Sequence, residues 1–320
     1  MTKHTIQTSV LLLGLALVSF TAQAECQYEQ LNGLKGSAIR TKLHELISDH
    51  YVLSYSAVRA DNANVDIVNN KVVDMYSNCS FGTKDYCGDG DDYEACDCYN
   101  REHALPKSFW GGSKDEPMYT DLHHIIPTDF EANTTRSAWA YGEPASVTWT
   151  NGKSKAGTGG TYGSLSSNIG EVIFEPADEV KGDIARIYFY MLTCYMDKKF
   201  NEGGKGYRMF TWTSSSCNLT YNAKELLLKW HRNDPVSDRE RDRNNRVENK
   251  QGNRNPFVDE PDLVEYIWGN KTNVTYQCSS AALDEVSATN QSLYTKKMVN
   301  GQIVIEIDGV AYNTLGQRIK

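Results

Sequence analysis

Tyr99-Asn100-Arg101-Glu102-His103-Ala104-Leu105-Pro106-Lys107-Ser108 is followed, after a short spacer, by Thr120-Asp121-Leu122-His123-His124-Ile125-Ile126-Pro127-Thr128-Asp129, and then by Asn133 and Arg136. Three of the chain's seven histidines fall in this span, with a carboxylate beside a histidine, a carboxamide and an arginine. Thr128-Asp129-Phe130-Glu131 reads as a capping box, Thr128 at the N-cap and Glu131 three residues on, and predicts a helix from Asp129. Asn133 and Arg136, three apart on that helix, project to the same side.

This set suits metal-assisted attack on a phosphodiester. The substrate is anionic, so an attacking water must lose a proton while the growing negative charge is neutralised. A hard divalent cation held by one or two oxygen ligands and several waters does the second job. A neutral imidazole does the first. Glu102 and Asn133 are the candidate oxygen ligands, His103 the candidate base, and Arg136 a candidate phosphate clamp. Adjacent residues of a strand face opposite sides, so Glu102 and His103 serve one site only at a bend, a bulge or a strand's end. Each residue also has a plainer reading. His103 suits a buried histidine bonded to backbone, and Glu102 suits an ion pair with Arg101 or Arg136. Asn133-Thr134-Thr135 is formally a glycosylation acceptor. His123 and His124 suit either an outer layer behind the metal ligands or structural bonds with Asp121.

Outward from this centre, the N-terminus sets the compartment. Lys3, the apolar run from Ser9 to Phe20, and Ala22-Gln23-Ala24 predict a signal peptide over residues 1–24. The run is too short to span a membrane, and there is no other candidate span. The expected location is secreted, periplasmic or cell-surface, as a monomer. All eight cysteines (Cys26, Cys79, Cys87, Cys96, Cys98, Cys194, Cys217, Cys278) follow the cleavage site, and an even number in an exported chain favours disulfides without fixing their pairing. Cys96-Asp97-Cys98 lacks zinc-knuckle spacing. Asp89-Gly90-Asp91-Asp92 lacks the regular spacing of a calcium loop and reads as a solvated acidic turn. A formal charge of −8 excludes a broad electrostatic grip on nucleic acid, so any basic surface is local. Residues 224–254, with nine Lys/Arg against six Asp/Glu, are the candidate.

Periodicity gives an α+β domain of mixed helices and a small sheet. Helices are expected from Ser37 to His50, from Asp183 along an apolar face through Tyr195, from Ala223 to His231, and from the capping box Ser237-Asp238-Arg239-Glu240 to about Lys250, stopped by Gly252. Strands are expected within Val65–Tyr76 and Val172–Phe174, with loops or short hairpins over Tyr141–Leu165. From about Ser287 the composition turns polar. Ile303 to Ile307 reads as a strand with Asp308-Gly309 as a turn. Residues 25–286 are therefore taken as the main domain and 287–320 as a tail, which resembles short sorting tails of exported Bacteroidetes proteins.

The ordered blocks resemble the bacterial endonuclease I family of ββα-metal (His-Me finger) nucleases. They are Asn100-Arg101-Glu102-His103 with Pro106 and Ser108; Thr120-Asp121-Leu122-His123-His124 with Pro127; Asn133 with Arg136; Asp183-Ile184-Ala185-Arg186; Trp230 with Asp234-Pro235; and Gln251 to Phe257. The resemblance implies a central ββα-metal motif and a sequence-tolerant endonuclease acting on DNA, RNA or both. His103 would be the general base, and Glu102 and Asn133 the ligands of one Mg2+-type ion, with Ca2+ or Mn2+ as substitutes. Products would carry 5′-phosphates. Some members place a phosphate-binding arginine in the loop that here runs from Phe109 to Tyr119, where Lys114 is the sole cation. The phosphate contact is thus left among Lys114, Arg136 and Arg254, and Asp121, His123 and His124 are candidates for an outer layer. The alternative is a non-cutting surface protein that binds nucleic acid or adheres. A phosphatase for smaller esters is a weaker one.

Overall fold

The computed structural model describes residues 26–88, 93–162, 165–166, 171–200, 205–213, 215–278, 294–299, 302–307, 310–312 and 319. The signal peptide, the Asp89–Asp92 turn and the Asp308-Gly309 turn lie outside them.

In chain order, helices α1 (Ser37–Ile47) and α2 (Tyr55–Val65) lead into a small antiparallel sheet of β1 (Ile67–Val68), β2 (Lys71–Val73) and β3 (Ser80–Phe81). Asn69 and Asn70, at φ 50° and 61°, make the tight β1–β2 turn, since Asn tolerates the left-handed region that such turns need. Strands β4 (Tyr99–His103) and β5 (Ile125–Asp129) pair antiparallel in continuous register, His103 opposite Ile125 and Tyr99 opposite Asp129. Helix α3 (Phe130–Arg136) follows β5 directly. Its N-cap is Asp129 and not Thr128: the Asp129 carboxylate accepts from Ala132 N–H at 3.0 Å. Thr128 is still a strand residue there, its hydroxyl buried without a partner among the described residues, so the cap falls one residue later than the sequence pattern suggests.

The Gly/Ser/Thr-rich stretch forms hairpins. β6 (Ser146–Thr150) pairs with β7 (Lys155–Thr158), β8 (Thr161–Tyr162) pairs with β9 (Leu165–Ser166), and β10 (Ile173–Glu175) completes a sheet on β7. Helix α4 (Lys181–Cys194) is buried along its whole length and is the spine of the domain, packed against α1 and against helices named next. It begins at Lys181, two residues before the Asp183 start expected from sequence. Asp183 instead turns its carboxylate to Arg186 and Arg239. A short α5 (Gly206–Met209) precedes the hairpin of β11 (Phe210–Thr213) and β12 (Ser216–Leu219). Then come α6 (Tyr221–Asn233), α7 (Asp238–Gln251), α8 (Pro256–Asp259) and α9 (Leu263–Ile267). Ser237 caps α7 by accepting from Glu240 N–H at 3.2 Å, and Gly252 ends it at φ 83°, a conformation glycine adopts without strain.

Two clamps tie α7 to the rest. Arg186 on α4 makes a bidentate pair with Glu240 at 2.6 and 2.7 Å, and Gly182 lets the Asp234 carbonyl approach where a Cβ would collide. Arg243 reaches Asp66 at 2.8 Å and the carbonyls of Leu122 and Ile125 at 2.6 and 2.9 Å, which fixes the start of β5. The arginines of this basic segment are therefore largely spent inside the fold. Arg239 pairs with Asp183, Arg232 with Glu265, and Arg246 donates to the carbonyls of Val65 and Ile67. One face of α7, with Glu240, Arg243, Asn244, Val247 and Gln251, is an internal brace, while Arg241 and Lys250 stay exposed on the other.

The described residues divide into two compact units, residues 30–276 and a second formed by residues before 30 and after 276. The second holds the Cys26–Cys278 disulfide and an antiparallel sheet of β13 (Tyr294–Val299), β14 (Gln302–Ile307) and β15 (Val310–Tyr312). The other disulfides, Cys79–Cys96 and Cys87–Cys98, bracket the approach to β4. Cys194 and Cys217 are buried free thiols, so six of the eight cysteines pair and not all. No helix among the described residues is long and apolar enough to cross a membrane.

Candidate active site

A cleft of about 450 Å3 opens where β4 ends and α3 passes, lined by Asn100, Arg101, Glu102, His103, Lys107 and Asn133 among others. No bulge is needed to bring Glu102 and His103 to it, because His103 is the last residue of the strand and the cleft lies at that end.

His103 is set by its surroundings. Its Nε2 lies 3.0 Å from the Tyr119 carbonyl, which only accepts, so Nε2 carries the proton and Nδ1 keeps its lone pair. Nδ1 has no hydrogen-bond partner among the described residues. The ring packs 5.3 Å from those of His124 and Tyr119 and 6.2 Å from that of Trp110. Burial, reinforced by His124, holds the imidazole well below its ordinary pKa, so it is uncharged at neutral pH.

Glu102 is enclosed but not abandoned. Burial pushes its carboxyl up to about 7, against the pull of Arg136 and the Tyr76 hydroxyl. The Tyr76 hydroxyl donates to Oε1 at 3.1 Å, and Arg136 Nε lies 3.1 Å from the same oxygen. The Nε approach is an ion pair without good hydrogen-bond alignment. Arg136 itself is fully buried. Its remaining nitrogens donate to the carbonyls of Ser137 and Ala104, each at 2.8 Å, and its guanidinium lies 4.6 Å from the centre of the Tyr141 ring. It sits under Glu102, with its donors already engaged by protein. Asn133 donates through Nδ2 to Asn100 Oδ1, so its own carboxamide oxygen is left for another partner.

The other sequence candidates lie elsewhere. Asp121 is a buried hub that accepts from the hydroxyls of Tyr190 and Tyr195 at 2.7 Å and from Gln251 Nε2 and His123 N–H at 2.8 Å. His123 Nε2 faces the Asn253 carbonyl at 3.2 Å. His124 Nε2 reaches the Met118 carbonyl at 2.5 Å, and its ring backs onto His103. Of the three, His124 is the one whose ring meets a cleft residue, and His123 lines a separate cavity with Asp183, Arg239 and Arg243. Lys114 is exposed on a turn, with Nζ 5.9 Å from the centre of the Tyr55 ring. Arg254 is paired with Glu248 and Asp259, both at 2.6 Å. The cations lining the cleft are Arg101 and Lys107, which the sequence reading leaves without a role there although both stand in the stretch it starts from. The same holds for Asn100. Tyr76 carries no sequence signal, because its partners are remote in the chain.

The chemistry of the donors tests whether a metal fits. A carboxylate and a carboxamide oxygen facing an open cleft, with no thiol and no second carboxylate among its described lining residues, suit a hard divalent ion that keeps several waters. Among the described residues, the tighter metal-ligating clusters fit less well. Cys79, Cys96 and Asp129 include a disulfide, and the Asp121 carboxylate beside His50 and Cys194 is already saturated by donors.

The cleft thus gathers a carboxylate, a carboxamide, an uncharged imidazole and two cations, groups that suit the hydrolysis of an anionic substrate. The chain belongs to the endonuclease I family, whose model matches residues 35–262, and it is a nuclease of that metal-dependent group. It is 34% identical to the extracellular ribonuclease of Bacillus amyloliquefaciens over 262 residues, 79% of this chain and 81% of that relative. It is also 34% identical to the extracellular ribonuclease of Bacillus subtilis strain 168, over 77% of this chain and 80% of the relative. An extracellular deoxyribonuclease of Aeromonas hydrophila is 28% identical over 46% of this chain and 54% of its own length.

Proposed function

We propose that the chain is an exported, magnesium-dependent endonuclease with little sequence preference, cutting RNA, DNA or both to leave 5′-phosphates. What supports this most directly is the tautomer of His103: with its Nε2 proton committed to Tyr119, Nδ1 keeps its lone pair, and His103 lines the cleft together with Glu102 and Asn133. The coverage shared with two extracellular ribonucleases supports RNA as a substrate and export as the destination, and residues 1–24 read as the export signal.

In this reading Glu102 and Asn133 would hold the divalent ion through their side-chain oxygens, and the ion would supply Lewis-acid neutralisation of the charge that grows during hydrolysis. His103 Nδ1 accepts a proton as water oxygen bonds to phosphorus, and the P–O3′ bond breaks, the departing O3′ taking up a proton from solvent to leave a 3′-hydroxyl. Arg136 and Tyr76 favour the ionised form of Glu102 against the effect of burial and hold its carboxylate in place. Lys107 and Arg101 supply positive charge at the cleft mouth for the phosphate. His124 and Trp110 hold the imidazole ring in place.

The test is cleavage of plasmid DNA and structured RNA by wild type and His103→Ala with magnesium, followed by end-group analysis. Activity should fall by about 10²–10⁴, the usual contribution of a positioned base. A variant that cuts as well as wild type, or products with 3′-phosphates, would overturn the assignment.

A further inference from the structure

Five cations have no carboxylate partner among the described residues: Arg101 and Lys107 line the cleft, Arg59 and Lys84 line a second cavity, and Lys114 stands over the Tyr55 ring. This contrasts with the basic segment near α7, where Lys229, Arg232, Arg239, Arg243 and Arg254 all pair with acids. Arg59, Lys84, Tyr86 and Tyr99 line a second cavity of about 440 Å3. Arg101 joins it to the catalytic cleft. It lines the cleft, its guanidinium lies 4.2 Å from the centre of the Tyr55 ring and 5.2 Å from that of Tyr86, and its Nε donates to the Tyr86 hydroxyl at 3.0 Å. Arg59 lies 5.0 Å from the centre of the same Tyr86 ring. Asp85, the sequence neighbour of Lys84, turns its carboxylate to Gly82 N–H at 2.7 Å.

Stacking on tyrosine fixes a guanidinium in orientation while leaving most of its N–H groups unspent. Two arginines so held, with an exposed lysine beside them, make a row of fixed positive charges leading away from the reacting centre. A charged groove with interleaved aromatic rings is the usual design for tracking a single strand. A cavity of this size holds a nucleotide or two of one strand.

We propose that Lys84 and the two arginines held on tyrosine rings, Arg59 on Tyr86 and Arg101 on Tyr55 and Tyr86, form a binding track for the phosphates of a single-stranded segment flanking the scissile bond. The track rests on the nuclease reading above. It supplies the local basic surface that a chain of net charge −8 requires.

The experiment uses the full mature chain and the double variant Arg59→Gln/Lys84→Gln, neither residue belonging to the catalytic cleft. Fluorescence anisotropy with a labelled single strand of about fifteen nucleotides, in EDTA so that nothing is cut, should show roughly tenfold weaker binding by the variant at moderate salt. The slope of log affinity against log salt should shrink by about 1.4, at about 0.7 for each phosphate no longer neutralised. A duplex of the same sequence should show a smaller loss. Turnover of a small chromogenic phosphodiester with magnesium should be unchanged. Equal affinity and equal salt slope for wild type and variant would overturn the track. If the strand binds with the expected charge dependence while wild type cleaves neither polymer nor small diester, the nuclease reading fails and the track stands.

Discussion

Arg136 Nε lies 3.1 Å from Glu102 Oε1, and both side chains are almost wholly enclosed. The pair links α3 to β4 directly beneath the cleft. Burying a carboxylate alone is costly, and a guanidinium alone equally so. Each is tolerable here because the other is present, because Tyr76 donates to the carboxylate, and because Ala104 and Ser137 accept from the two terminal guanidinium nitrogens.

Removing the cation should therefore cost more than a cavity. Arg136→Ala strands Glu102 in a buried site, and denaturant unfolding should show a loss of about 3–5 kcal/mol. The double change Arg136→Leu/Glu102→Gln should recover part of that stability while remaining inactive. A loss under about 1 kcal/mol for the single variant would mean that the pair is solvated.

Metal dependence should separate the ligands from the base. EDTA should abolish cleavage and magnesium restore it. Glu102→Gln and Asn133→Ala should each raise the magnesium concentration giving half-maximal rate, by about 10–100-fold on the scale seen when groups supporting a metal site are altered. His103→Ala should leave that concentration unchanged while lowering the rate. Titration curves that superimpose for wild type and the Glu102 variant would remove Glu102 from the metal site.

Acid should destabilise the fold through buried histidines. His231 lies 3.5 Å from Arg186, and burial, with that arginine, pushes it down to about 4. His123 is pushed to about 4 by burial, with Arg243 adding to the effect against Asp121. Both values lie below the unfolded value of about 6.5, so between about 4 and 6.5 the unfolded chain binds more protons. Stability should therefore be full above that window and fall as pH drops through it. His231→Gln should flatten the decline in urea midpoint between about pH 6.5 and about 4. Parallel declines in variant and wild type would show that His231 does not titrate in this way.

Thiol chemistry should count two. Denatured without reductant, the mature chain should react with a thiol reagent at Cys194 and Cys217 alone, and in the native state at neither, because both are buried. Replacing Cys87 and Cys98 together by Ser removes a cross-link of 11-residue separation and should cost about 2–3 kcal/mol. Labelling of Cys79 or Cys96 in unreduced protein would contradict the pairing.

Much of the fold was written locally. The Ser237 cap, the Gly252 stop, the apolar face of α4 and the Asn-rich β1–β2 turn each depend on residues a few positions apart, and short-range geometry determines them. The errors have a tertiary origin. Asp183 looks like a helix cap but serves Arg186 and Arg239, and Thr128 looks like a cap but is held in β5 by pairing with Asn100. Arg136 looks like a phosphate clamp, yet the chain around it closes over its guanidinium.

The sequence by itself determined which chemical groups are present and, through the ordered blocks from Asn100 to Phe257, the family that carries them. Only the tertiary structure decided which charges remain available. A cation's role depends on whether a carboxylate or carbonyl reaches it first, and those partners come from anywhere in the chain: Asp66 for Arg243, Asp183 for Arg239, Glu102 for Arg136. Counting lysines and arginines along the sequence points to residues 224–254. Folding neutralises much of that segment and leaves cations without a described carboxylate partner beside the cleft.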